Sequence, residues 1–259
     1  MSKTEMKVQM ALRLPVPAFY LMFLLCSPCF GQDALQLFQK MQGALGGAGK
    51  IAAVRDFEQS VRADAWDFGG NPMGVVRKRV RFVRPSYLRI DQVGQRDTYV
   101  LYFDGTSGWE ILPDGTVADL KGDELSFARN YLYGLDLNVW LADRDPHYVI
   151  GSPGPSILTI TAKDNSFPGN EITLNRTSFL PVKERGTAHS DPNHPVSDET
   201  NFGQWRVVAG VEFPGLITKL HNGKKLAEIT VEQTKLNSGL KVADLAIMPS
   251  DKEPVMSQQ

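Results

Sequence analysis

His189, Asp191, His194 and Asp198 bring two imidazoles and two carboxylates into one short segment, the side-chain types that hold a transition metal. Their spacing matches no established zinc pattern. Pro192 and Pro195 make the segment a loop without a rigid scaffold, so a solvated polar loop is expected. Ala44-Leu45-Gly46-Gly47-Ala48-Gly49-Lys50 approaches a phosphate-binding loop. It fails because Ile51 stands where a magnesium-binding Ser or Thr is needed, and because a helix rather than a strand precedes it. A double glycine that ends a helix accounts for it. No G-x-S-x-G elbow occurs, and the only other histidines are His147 and His221, the second beside a hairpin turn. Asp143 and Asp145 fall at a helix end, where solvation explains them. No nucleophile, metal or acid–base set stands out. Neither catalysis nor a bound metal or cofactor is expected.

The elements that would position a site are better defined than any chemistry. Residues 76–113 alternate apolar and charged positions, the period of a strand with one dry and one wet face. Val76, Val80 and Phe82 point one way and Arg77, Arg79 and Arg81 the other. Pro85 interrupts the run, and Asp104-Gly105 and Asp114-Gly115 turn it, which predicts an antiparallel meander. Leu35, Leu37, Phe38, Met41 and Leu45 recur at helical spacing over 33–45, with a short helix or turn over 51–54. A second helical stretch spans 120–145, with Leu125, Phe127, Tyr131, Leu132, Leu135, Val139, Trp140 and Leu141 on its apolar face. Gly134 divides it. Strands follow at 147–150, 157–162, 171–175 and 180–186, then a polar loop over 191–198. Two long strands, 205–211 and 216–232, are expected around the Asn222-Gly223 hairpin. The fold class is α+β, mainly antiparallel β, in one domain over 32–250 with a polar tail over 251–259.

The start of the chain has the order of an export signal. Lys3, Lys7 and Arg13 precede an apolar core over 19–25, and small residues stand near position 31. Both cysteines, Cys26 and Cys29, lie inside it, and Leu25 and Pro28 precede them where a lipidation signal needs a small residue. A mature chain beginning near Gln32 would contain no cysteine and hence no disulfide. Its balance would be 25 basic against 28 acidic residues, too mild to predict a nucleic-acid partner. The expected location is the periplasm, reached by a cleaved signal over 1–31.

Arg84-Pro85, then Leu88 and Arg89, then Phe103-Asp104-Gly105 and Trp109 resemble the central strands of the LolA/LolB-like lipoprotein-localisation family. Residues 231–237 and Ala246-Ile247-Met248-Pro249 are similar to that family's closing strand and proline-marked end. The resemblance implies an unclosed (half) β-barrel whose concave face is covered by helices, here 33–45 and 125–141. It implies a non-enzymatic carrier that holds acyl chains of a lipoprotein or lipid between sheet and lid, for outer-membrane lipoprotein sorting. Transport partners in the inner and outer membranes, no nucleic acid, and a monomeric state go with it. Arg84 corresponds to the arginine that ties the sheet to the lid, and Leu88 to a cavity-lining position.

Resemblance and pattern together nominate a ligand-binding set. Phe38 and Met41 from the first helix, with Tyr131, Leu135 and Trp140 from the second, should face Val80, Phe82, Leu88, Ile90 and Leu101. The alternative is that these residues form a filled core. A lipid or protein sensor or scaffold of the same fold is the competing function; an unrecognised hydrolase is the third, disfavoured by the missing nucleophile and base.

Overall fold

Alternation over 56–119 produces six consecutive antiparallel strands in the computed structural model, which describes residues 30–94, 98–163, 169–186 and 198–249. They are β1 (Asp56–Trp66), β2 (Pro72–Val83), β3 (Tyr87–Val93), β4 (Thr98–Phe103), β5 (Gly108–Ile111) and β6 (Val117–Asp119). The register places Phe57 opposite Phe82, and Phe82 opposite Leu88, so one apolar face runs unbroken across the strands. The expected turn residues make the turns. Asp104 accepts hydrogen bonds from the amides of Thr106 and Ser107, both 2.7 Å, and Gly105 has φ 101°.

The second half adds β7 (Tyr148–Gly154), β8 (Ile157–Ala162), β9 (Asn170–Leu174), β10 (Pro181–Gly186), β11 (Asp198–Gly203), β14 (Leu216–His221) and β15 (Lys224–Leu236). β15 pairs with β1 on one side and β14 on the other. The result is one sheet of thirteen strands in the order β6-β5-β4-β3-β2-β1-β15-β14-β11-β10-β9-β8-β7. Its two ends do not pair, so the fold is an unclosed antiparallel half-barrel of α+β class.

Two expectations are corrected. Residues 205–211 do not form one long strand. The chain reverses at Ala209-Gly210, both at positive φ (48° and 81°), and makes a separate two-stranded ribbon of β12 (Arg206–Val208) and β13 (Val211–Phe213). Two consecutive left-handed residues are the requirement of a tight hairpin turn. β11 was not expected either. Asp198-Glu199-Thr200-Asn201-Phe202-Gly203 has no apolar alternation and is held in place by pairing on both sides, to β10 and β14. The N-terminal segment to residue 29, the loop over 187–197 with His189, Asp191 and His194, and the tail over 251–259 lie outside the described residues.

Helices cover the inner face. α1 (Phe30–Ala44) packs against β7 and β8, and α2 (Ala48–Ala52) follows the double glycine. The 120–145 stretch breaks after Gly134, because Leu135 is extended (φ −64°, ψ 129°). This gives α3 (Gly122–Tyr133), α4 (Asp136–Val139) and a 3₁₀ turn at Ala142–Arg144. One continuous core joins Phe38 and Met41 of α1, Phe82, Leu88, Ile90 and Leu101 of the sheet, and Leu137 and Trp140 at the helical break.

The wet face of β2 is an ion network. Arg79 reaches Glu58 at 2.5 Å, Arg81 reaches Asp91 at 2.5 Å, and Arg89 reaches Asp91 at 2.9 Å. Arg89 also donates to the carbonyls of Leu245 and Ile247, which fastens α5 (Val242–Ala246) across the outside of β3. Arg79 and Arg81 of β2 thus each stand against an acidic partner on a neighbouring strand.

Candidate functional site

On the inner face the sheet and the α3–α4 break border a half-open cavity of about 350 Å³. Strand alternation directs Phe57, Gln59 and Val61 of β1, and Lys78 and Val80 of β2, into it. Ile229 of β15, Ile217 of β14 and Phe202 of β11 lie side by side as an apolar row, by their cross-strand register. Tyr131, Gly134, Leu135, Asp136 and Leu137 roof the space, and Phe213 of the ribbon closes one side. The extended Leu135 is what opens it. A continuous helix would keep the helical hydrogen bonds of this turn and alter how its side chains meet the sheet.

Next to the apolar row runs a polar one. Lys219 pairs across to Thr200, and Thr200 to Glu184, with Asp136 above them from the first turn of α4. Burial pushes the Glu184 carboxyl up to about 8; the Asp136 charge raises it further and Lys219 offsets part. Burial likewise pushes Asp136 up to about 6 against the opposing pull of Lys219. Both side chains border the cavity and are partly buried, and that burial penalises the charged form. Lys78 holds its ammonium 4.5 Å from the centre of the Tyr131 ring. Among the described residues no group of three or more His, Cys, Asp or Glu could hold a metal ion.

No protein-family model and no curated protein matches this chain. Solved structures do. A LolA superfamily protein from Nitrosomonas europaea superposes with a TM-score of 0.56 at 12% identity, over 82% of this chain and 96% of the other. A putative outer membrane lipoprotein-sorting protein domain from Vibrio parahaemolyticus gives 0.54 at 11% identity, over 83% and 97%. A DUF1329 family protein from Desulfovibrio piger gives 0.56 at 11%, over 82% and 97%. The chain has a LolA-like fold. Almost the full length of each of these chains is matched, so the likeness covers the LolA-like unit as a whole.

In this LolA-like frame Arg84 directly follows β2 and reaches across to the helical layer. Its Nε donates to the carbonyl of Val54 at 2.8 Å, one Nη to Leu137 O at 3.0 Å and the other to Asn138 Oδ1 at 3.2 Å. Asn138 in turn donates to Leu132 O at 2.8 Å, so one guanidinium ties the sheet to both halves of the broken helix. Burial, and next the nearby Arg55, lower the Arg84 pKa without removing its charge.

The nominated residues divide. Val80, Tyr131 and Leu135 line the cavity. Phe38, Met41, Phe82, Leu88, Ile90, Leu101 and Trp140 are buried in the continuous core, and none of them borders this cavity. The space lies further along the sheet than expected, over β1, β15, β14 and β11. Ile217, Ile229, Phe202 and Phe213 were missed. Alternation in the last hairpin carries a signal for Ile217 and Ile229. Nothing local marks Asp136 or Glu184, which meet only because β10 lies beneath α4.

Proposed function

We propose that the protein is a periplasmic, non-enzymatic carrier of acyl chains, those of lipoproteins or of lipids, held between the sheet and its helical layer. The observation that supports this most is the cavity, whose volume lies within the range of small-molecule sites and whose walls include Phe57, Val61, Val80, Leu135, Ile217 and Ile229. Burying one methylene of a chain there contributes about 0.8 kcal/mol, so a short stretch of chain suffices for useful affinity. Val80, Tyr131 and Leu135 are the nominated residues that would touch it directly. Phe38, Met41, Phe82, Leu88, Ile90, Leu101 and Trp140 would contribute as the rigid wall behind, and Arg84 as the tie that holds the roof. The fold shared with a putative lipoprotein-sorting domain supports the cargo class. Partners in the inner and outer membranes would load and unload such a carrier.

The test has two measurements on exported, purified protein. Mass spectrometry of an organic extract should find a phospholipid or an acylated species. A fluorescent fatty-acyl probe should bind wild type, and Ile217→Gln should weaken it about tenfold, the worth of one buried aliphatic side chain. Wild type that carries no lipid and does not bind the probe would overturn the carrier reading in favour of a sensor or scaffold.

A further inference from the structure

An acyl chain has no use for carboxylates, yet Asp136 and Glu184 both border the cavity. Neither makes a hydrogen bond or an ion pair with a described residue. Partly buried carboxylates are commonly met by donors of the protein, because one that is not keeps part of its desolvation cost. Here two lie close enough to repel one another.

The other charged or titratable side chains that face this space are Lys219 from β14, Lys78 from β2 and Tyr131 from α3. Lys219 is an exposed residue that offsets only part of the burial cost, and its attraction to both acids leaves them still raised. Lys78 is held over the Tyr131 ring. An anionic head would add a third negative charge beside the pair. A hydroxyl would donate one bond and no charge. A primary ammonium donates three bonds and brings the charge that complements two neighbouring, partly buried carboxylates.

We infer that the cavity selects amphiphiles whose head carries a primary ammonium, seated between Asp136 and Glu184, with the chain along Phe202, Ile217 and Ile229. This rests on the carrier reading and adds the class of head to it. The chemistry has two sources, an ethanolamine phospholipid and an acylated peptide with a free terminal amine. Seating the ammonium displaces the proton that the acid pair retains near neutrality, so affinity for an amine rises with pH from about 6 to about 8.

The experiment titrates the exported protein with dodecylamine, dodecanol and dodecanoate, at about pH 6 and about pH 8. At the higher pH the amine should bind at least roughly tenfold tighter than the alcohol, the range of charge-assisted hydrogen bonds. That preference should vanish in Asp136→Asn/Glu184→Gln, with the amine losing far more affinity than the alcohol. If the double variant does not fold, the wild-type ratio decides: an amine-to-alcohol preference that grows with pH supports the inference, and a flat ratio refutes it. Equal binding of amine and alcohol, or tightest binding of dodecanoate, overturns the inference and leaves the carrier reading standing. Binding of none of the three overturns the carrier reading itself. Lyso-phosphatidylethanolamine and a diacylated cysteine peptide, each beside its N-acetylated form, then separate the sources; the inference fails if acetylation weakens neither.

Discussion

Three carboxylates illustrate opposite uses of burial. Glu184 and Asp136 are raised, and a raised acid favours folding while it stays protonated. Glu184's contribution is present below its unfolded pKa of about 4.3 and is lost as pH climbs through its folded value of about 8. Glu184→Gln should therefore melt higher than wild type above pH 8 and equal to it near pH 4; parallel pH–Tm curves would refute this. Glu58 goes the other way. Burial alone would raise it, but the pairs with Arg79 and Lys235 (2.5 and 3.2 Å) outweigh that and leave it lowered. Its contribution is present above about pH 4.3 and lost as pH falls through the folded value. Glu58→Gln should cost roughly 1–3 kcal/mol at pH 7 by denaturant titration, and that difference should shrink in acid.

The joints between elements single out two residues. Gly46 ends α1 at φ 112°, and a β-carbon there would stand 2.1 Å from the carbonyl oxygen of Gly210 in the ribbon turn. The same joint carries the Glu212 amide to Leu45 O at 3.0 Å. Gly46→Ala should cost about 2–3 kcal/mol, a fall in Tm of roughly 5–10 °C for a chain of this size. Gly47→Ala has open space and strains only its φ of 97°, so about 1 kcal/mol is expected. Similar losses in the two variants would argue against the close approach as the cause. Arg84→Met removes two bonds that fix α4 to the end of β2 and a third to the carbonyl of Val54. It should lower Tm by several degrees and speed release of a bound acyl probe, read by stopped-flow displacement.

At the scale of the molecule, β15 decides the architecture. It brings the last hairpin back beside β1 and joins an N-terminal meander to the C-terminal strands in one sheet. Because the sheet does not close on itself, its inner face is covered by α1, α3, α4 and the ribbon, and the cavity is the place where that cover is thin. A ligand that binds only the folded protein stabilises it by mass action. At a hundredfold excess over Kd this is about 2.7 kcal/mol, so a saturating amphiphile should raise Tm by roughly 5–10 °C, and in proportion to the logarithm of its concentration. A probe that binds without raising Tm would be attached somewhere other than the folded cavity.

Local pattern was enough for much of this. Period-two alternation in residues 76–111, Asp-Gly and Asn-Gly turns, and helical spacing from Leu35 to Leu45 each reflect short-range geometry, which the chain states residue by residue. They determined the antiparallel class and the broken second helix, whereas the tie at Arg84 was implied by the family resemblance and not by local pattern. Polar segments without periodicity, such as 198–203, state nothing locally; pairing on both sides makes β11 a strand. Apolarity also could not separate wall from core, since Leu88 and Ile217 are equally hydrophobic and only their neighbours differ. The meeting of Asp136 with Glu184 belongs to the tertiary structure alone. Forty-eight residues apart in the chain, they share a space because a short helix lies over a distant strand, and the shift of their proton affinity arises from that shared burial.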